Sequence, residues 1–425
     1  MSDGKGLSPA TGTEPEAAAA SPPGAFAAAG DARPHLALIV VLGALSSFGP
    51  LSMDMYLPAL PALTRDLHAS ASAAQLTLTS CMLGIALGQL VAGPVSDALG
   101  RRRPLLVGLI GYMVASIACA FMPSIWALIG VRFIQGVAGG AGIVIARAVV
   151  RDLFSGATAA RLFSTLMMIT GVAPIAAPLI GGQVLRVSSW RGVFVLLGAI
   201  GLPMLLMAIF GLRETLPEDR RHSGGMLPTL RTFKRLMGDP TFAPYALAFS
   251  LSFSAMFAYI AGSSYVLENV FHTSPQVFSV VFAVNSVGFV VVTQAGGRAV
   301  ERFGPVALLR RGVVVVAAGS LAVLAVTASG AGLWPLLVAL MVMMTGNGLA
   351  MPNGVAAAMI GQPSALGAAS ALLGLGQFGV GALLGPLVGI AGPHNALPMG
   401  IVMAACGLAA VAVTPGLGHR IKSRS

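Results

Sequence analysis

Twelve apolar runs dominate this chain of 425 residues, near 36–59, 74–96, 104–122, 126–149, 162–185, 190–211, 244–267, 276–297, 305–327, 334–359, 364–390 and 396–415. A helix needs ~20 apolar residues to cross a bilayer. Inside hydrocarbon each backbone N–H and C=O must bond within the protein, so runs of this length predict helices. Only 9% of the residues are charged, against about 25% in a soluble domain. The expected class is an all-α membrane protein with twelve transmembrane helices. The 54 glycines suit close helix contact in lipid, where packing holds helices together.

Basic residues give the expected orientation. Arg101, Arg102 and Arg103 lie between spans two and three, and Arg151 and Arg161 between four and five. Arg213, Arg220, Arg221, Arg231, Lys234 and Arg235 lie between six and seven. Arg298, Arg302, Arg310 and Arg311 lie between eight and nine, and Arg420, Lys422 and Arg424 close the chain. The alternate loops hold only Arg65, Arg186 and Arg191. By the positive-inside rule both termini are expected in the cytoplasm. The net charge of +11 thus reflects topology beside membrane lipid, and no nucleic-acid partner is expected. Cys81, Cys119 and Cys406 all fall in apolar runs and read as packing residues.

The longest polar interruption, 212–242, divides the spans six and six. Gly93, Asp97 and Gly100 recur as Gly297, Glu301 and Gly304, offset by 204; Gly171, Pro178 and Gly181 recur as Gly379, Pro386 and Gly389, offset by 208. This predicts two pseudo-symmetric six-helix bundles, 35–211 and 243–416, joined by a cytosolic linker. Residues 1–34, rich in Ala, Gly, Pro and Ser, and 417–425, rich in basic residues, are expected to be cytosolic tails. Paired bundles of this kind are the arrangement of transporters that bind substrate between halves near the midplane.

Asp54 is the lone acid well inside a long apolar run. A charge there costs ~2.5–3.5 kcal/mol on the insertion scale. Such residues handle protons, ions or cationic ligands, or else bond structurally to a neighbouring helix. Arg132 is the one basic residue deep in a run, within Arg132-Phe133-Ile134-Gln135-Gly136. It must find acceptors, either functional groups or backbone carbonyls. Asp97, at the end of span two, faces the unfavourable end of its own helix dipole. It needs Arg101 or Arg102 as a partner, or the start of span eleven near Ser364. Gly100 suits a left-handed helix cap.

The stretch Gly88-Gln89-Leu90-Val91-Ala92-Gly93-Pro94-Val95-Ser96-Asp97-Ala98-Leu99-Gly100-Arg101-Arg102 resembles the loop signature of the major facilitator superfamily between spans two and three. The resemblance implies a conformational gate, with Gly93, Asp97, Gly100, Arg101 and Arg102 in it and Asp152, of the Arg151-Asp152 pair, beside them. The span-four Arg132-x-x-Gln135-Gly136 motif resembles that family's proton-coupling motif. Gly171, Pro174, Pro178 and Gly181 resemble its antiporter-type helix, departing at Ala177, where glycine is usual. With Asp54-Met55-Tyr56-Leu57-Pro58, Trp190-Arg191 and Glu214-Thr215-Leu216, the chain resembles the Bcr/CflA subfamily of drug:proton antiporters. What the resemblance implies is export of drug-like small molecules across a bacterial inner membrane by a monomer, driven by protons through Asp54 and Arg132 without a cofactor.

Met53, Tyr56, Gln135, Phe253, Phe257, Tyr259, Asn285, Asn347 and Gln377 are candidates to line a central cavity, with packing the alternative for each. Met and aromatic side chains adapt to varied ligands. Glu268 reads first as a polar residue at an outer helix end. The six histidines are scattered near ends and loops, and neither a metal nor a nucleophile site is expected. No phosphate-binding loop is present, and no enzyme activity is expected. A metabolite transporter and a non-transporting membrane sensor or scaffold are the alternatives to drug export.

Overall fold

The computed structural model describes residues 36–154, 156–218, 221, 226–360, 362 and 366–414. The expected tails and Ser364 lie outside the described residues. Among these residues every apolar run is helical and no strand occurs. The first run is broken into α1 (Leu36–Ser46), α2 (Phe48–Asp54), a 3-10 turn at Leu57–Ala59 and α3 (Leu60–Asp66). The axis bends by 45° at the break after Ser46. Ser46 and Ser47 donate their hydroxyls back to the Leu42 and Gly43 carbonyls at 2.8 and 3.0 Å, a bond that bends helices. Pro58 and Pro61 have no N–H to continue the ladder. The expected end near residue 59 is therefore a turn, and the chain stays helical to Asp66.

The remaining helices are α4 (Ala71–Leu99), α5 (Arg102–Ala120), α6 (Ile125–Leu153), α7 (Gly156–Val187) and α8 (Trp190–Gly211). Then follow α9 (Met226–Met237), α10 (Ala243–Tyr265), α11 (Pro275–Phe303), α12 (Pro305–Ser329), α13 (Leu333–Met359), α14 (Leu366–Leu384) and α15 (Leu397–Val413). A π-helical turn, Val266–Val270, continues α10, and a 3-10 turn, Gly385–Gly389, continues α14. Ser70, Ser124 and Ser274 accept from backbone N–H groups three residues on, at 3.1, 3.3 and 3.2 Å, and so cap α4, α6 and α11. The interruption after α8 is not all loop, since it contains α9, whose Phe233 and Leu236 are buried.

Helices α1 to α8 pack among themselves, as do α10 to α15. Within the first set α4 and α6 meet backbone to backbone. A Cβ added at Gly88 would collide with the Val137 carbonyl, and one at Gly140 with that of Ile85. In the second set α12 and α13 approach as closely: a Cβ at Gly346 would lie 2.6 Å from the Val316 nitrogen. The two sets meet where α7 packs on α11 and α4 on α14 and its 3-10 extension. Val107, Trp126, Phe210, Trp334 and Leu383 face outward, as lipid contact requires.

Candidate functional site

Arg132, on α6, is 0% exposed. One terminal nitrogen donates to Gln135 Oε1 at 2.5 Å and the other to the Ser52 carbonyl at 2.9 Å. Gln135 is one turn along the same face and donates in turn to Ser116 Oγ at 2.7 Å. Ser52 Oγ and the Tyr112 hydroxyl share a bond of 2.7 Å. The guanidinium lies 4.4 Å from the Tyr56 ring centroid and 5.5 Å from that of Phe194, where ring quadrupoles attract a cation. Only Nε lacks a partner. The Ser52 carbonyl belongs to the last turn of α2, which has no helical donor ahead of it. Arg132 supplies that donor, and so holds the end of α2, where the chain turns just past Asp54.

Asp54 ends α2 and is 5% exposed. Its carboxyl has no hydrogen bond or ion pair within the described residues, so Arg132 is not its counter-ion. It lies instead within Coulombic range of Tyr259, on α10 in the other half. Tyr259 accepts from Asn285 Nδ2 at 3.0 Å and stacks on Phe282 with centroids 5.5 Å apart. Asp54 thus lies within Coulombic range of a bonded Tyr259–Asn285 pair in the other half. Met53 adjoins Asp54 and is buried.

Phe253 and Phe257 lie further along α10, with centroids 6.3 Å apart, and Phe378 meets Phe253 edge-on at 5.9 Å. Gly381, on α14, faces both Phe253 and Met82, and Gly385 faces both Phe257 and Thr79, which places these rings beside α4. Gln377 is half-buried on α14. Tyr56, Gln135 and Asn347 are placed differently, bonded inside their own halves, with Asn347 Oδ1 buried without a partner. Tyr56 bonds Thr77 at 2.8 Å, Gln135 bonds Arg132 and Ser116, and Asn347 donates to the Met343 carbonyl at 3.3 Å.

Hydrogen bonds between the halves gather from mid-depth to the end of the molecule that carries Trp190. Thr64 and Tyr265 share one of 2.5 Å, Gln75 donates to the Ala261 carbonyl at 3.1 Å, and Ser72 to that of Pro386 at 2.9 Å. Gln276 donates to the Gly182 carbonyl at 2.9 Å and Ser286 to that of Pro174 at 3.5 Å. The proline-bearing α7 thus forms one wall of the seam. Gly171 faces Val290 of α11, a Cβ on Gly181 would strike the Met55 carbonyl at the span-one break, and Pro178 is buried.

At the opposite, basic end Arg101 is 5% exposed. It donates to Asp97 at 2.5 Å, Ser96 Oγ at 2.8 Å and Asp152 at 2.8 Å. Arg101, not Arg102, is therefore the partner of Asp97; Arg102 donates to the Ile209 carbonyl at 2.7 Å. Asp97 remains 50% exposed, and its partner comes from its own half. Gly93 is in ordinary contact with Val144 at 4.0 Å. Gly100 has φ +88° and ψ 164°, a positive-φ extended geometry rather than the expected left-handed cap.

Glu214 is the group that the motifs undervalued. Its carboxylate accepts from the N–H groups of Arg101 and Arg102 at 2.7 and 3.2 Å, and of Thr215 and Leu216 at 3.0 and 3.1 Å. It so caps the N-terminus of α5, where an anion is favoured. Partial burial works against its charge, but these backbone donors outweigh it and hold the acid below the usual carboxylate range. A Cβ on Gly100 would lie 2.5 Å from this carboxylate, so glycine is required by contact as well as by φ. A lone Glu after span six gives no local hint of a helix start over a hundred residues earlier.

Two packed helical sets, a polar seam between them and a buried acid within Coulombic range of the opposite set define a membrane transporter built from paired halves. Residues 40–386 match the family model of the Major Facilitator Superfamily, and the chain belongs to that family, in the drug-resistance branch that its motifs resemble. It is 38% identical over 375 residues to an uncharacterized MFS-type transporter, YdgK, of Bacillus subtilis, covering 87% of this chain and 92% of that one. It is 30% identical over 368 residues to a bicyclomycin resistance protein homolog of Haemophilus influenzae, covering 87% and 92%. It is 28% identical over 347 residues to multidrug resistance protein D of Escherichia coli, covering 81% and 87%. Among solved structures it superposes on a mutant form of the nucleoside transporter NupG with a TM-score of 0.72 at 13% identity, covering 89% of this chain and 98% of that one. A D-xylose-proton symporter gives 0.70 at 16% identity, covering 89% and 96%. These two likenesses concern the fold. The chain is a transporter of small molecules and not an enzyme.

Proposed function

We propose that this protein exports drug-like small molecules in exchange for protons, by alternating access. The observation that carries the reading is Asp54, a buried carboxyl without a hydrogen-bond partner at the end of α2, within Coulombic range of Tyr259 in the other half. A carboxyl so placed needs a proton, water or a cation whenever its surroundings close. Proton and substrate then compete for one acid, the minimal requirement for exchange. Arg132 keeps that acid in register by holding the Ser52 carbonyl. The resistance proteins among the relatives support drug-like substrates.

In this reading the basic end lies in the cytoplasm of a bacterial cell and the Trp190 end faces outward across the inner membrane. The bonded seam is then the outer gate, closed. The Asp97–Arg101–Asp152 cluster, held within one half, is the inner gate with its cross-half contacts released. The transporter works as a monomer, with no cofactor beyond the proton gradient. The test is a protection panel in an exporter-deficient bacterium, with chloramphenicol and bicyclomycin among the compounds. Resistance that rises at least fourfold on expression and disappears with an uncoupler supports the reading. Resistance untouched by the uncoupler, or none across the panel, overturns it.

A further inference from the structure

The Trp190 end holds a cavity of about 340 Å³ walled by both halves. Arg65, Asp66, Trp190 and Arg191 come from one half, and Glu268 and Pro275 from the other. Two of the four charges are matched to each other: Asp66 pairs with Arg191 and accepts from Trp190 Nε1 at 2.9 Å, while Arg191 lies 4.3 Å over the Trp190 ring. Arg65 is exposed and forms no ion pair among the described residues. Glu268 is the more buried of the two left over. Its Oε1 is closed off from solvent without a hydrogen-bond partner. Arg65 bears on it only at Coulombic range, with no ion pair formed.

The backbone around Glu268 is also unusual. It sits in the π-helical turn Val266–Val270, a rare geometry that marks functional positions. That turn begins directly after Tyr265, whose hydroxyl closes the seam on Thr64. Ser263 and Ser264 carry buried, unpartnered hydroxyls just before it. Shutting the seam over an unpaired carboxylate costs far more than shutting it over the neutral acid. Opening the seam admits water, which removes the difference. The charge on Glu268 and the state of the seam are therefore linked.

We propose that Glu268 is a second proton-binding site, set at the opposite end from the Asp97 cluster, whose protonation favours closure of the Thr64–Tyr265 seam and whose ionisation favours its opening. The inference rests on the reading of this chain as a proton exchanger, and it adds a site that loads from the outer face. Arg65 on α3 lies within Coulombic range of Glu268, and Asp66 is engaged by Arg191 on α8 and Trp190. His68 follows α3 within range of Asp66, and His272 follows the π turn. These two are the other titratable side chains nearby.

The test uses full-length protein in nanodiscs, with Cys81, Cys119 and Cys406 changed to Ala and spin labels at Val187→Cys and Trp334→Cys, both exposed near this end. Distances are recorded between pH 5.5 and 8.5. The longer, seam-open population is expected to grow at least threefold with rising pH in the parent. It should do so equally in His68→Asn/His272→Asn. Glu268→Gln should stay closed throughout, and Glu268→Asp should recover the shift. The same pH response in Glu268→Gln as in the parent, or no response in the parent, overturns the proposal. Drug efflux is read separately, so a failure of the export reading leaves the seam measurement standing.

Discussion

The turn at Gly100 and its repeat at Gly304 share a backbone but not a chemistry. Their φ angles are +88° and +73°, with ψ near 160° in both. Around Gly100, the Asp97, Arg101, Asp152 and Glu214 side chains form one bonded cluster. Around Gly304, Glu301 is exposed and forms no ion pair among the described residues, while Arg302 and Arg311 lie over Phe303 at 5.3 and 4.4 Å. The glycines of spans five and eleven tell the same story. Gly181 and Gly389 are both crowded, by the Met55 carbonyl and by Gln75 Oε1, whereas Gly171 and Gly379 both have room. The two halves thus repeat the contacts that build the fold. Architecture is shared between the halves, and the charged side chains are not: Asp54, Arg132 and the basic-end cluster lie in the first, and Glu268 in the second.

The strongest way to break this comparison is at Arg132. Arg132→Ala leaves Gln135 Oε1 and the Ser52 carbonyl without their donor, at about 1–3 kcal/mol for each buried acceptor so orphaned. Transport should be abolished and the melting temperature lowered. Arg132→Lys should retain under about a tenth of the activity, because one ammonium cannot reproduce two fixed donors. Full activity in the Lys variant would show that charge alone matters there. Gly181→Ala comes next, since the new methyl must push α7 away from Met55, costing about 1–3 kcal/mol. Gly379→Ala, with nothing within 4 Å, should cost less than ~0.5 kcal/mol. Equal losses in thermal unfolding would contradict the packing described.

The gate comparison is finer. Arg101→Ala should slow turnover several-fold and leave substrate affinity nearly unchanged, because it removes a contact of the conformational cycle rather than of the binding site. Glu301→Gln, at the repeat position, should change neither. Similar slowing in both would show that the cluster is not special to the first half. The smallest effect concerns Glu214. Its pKa lies below the ordinary value of 4.5, so its stabilising contribution is present above that pH and is lost as pH falls through the depressed value. The difference in melting temperature between the parent and Glu214→Gln should be constant near neutrality and shrink in acid. A gap that widens on acidification would reverse the assignment.

Much of this was legible in the sequence because it is local or periodic. The apolar runs located the helices, and Asp97 with Arg101 is an i, i+4 pair whose need for a cation follows from the helix dipole. Arg132 and Gln135 share a helix face for the same reason. What was not legible depends on which helix meets which. The acceptor of Arg132 is a backbone carbonyl eighty residues earlier, and nothing in the motif names Ser52. Gln135 points into its own half rather than at the seam because Ser116 on α5 waits there. Glu214 caps α5 across more than a hundred residues. The break in span one was not read from the sequence, although Pro58 and Pro61 lack the N–H that continues a helix, and the continuation to Asp66 follows from packing against α8 and α10.

The central claim is that Asp54 couples protons to substrate. The direct measurement is uphill efflux in inverted membrane vesicles with an imposed pH gradient, comparing the parent with Asp54→Asn at matched protein levels. A second arm measures substrate exchange with no gradient. The account predicts that Asp54→Asn loses gradient-driven accumulation at least tenfold while gradient-free exchange persists. Accumulation in Asp54→Asn vesicles equal to the parent would contradict it.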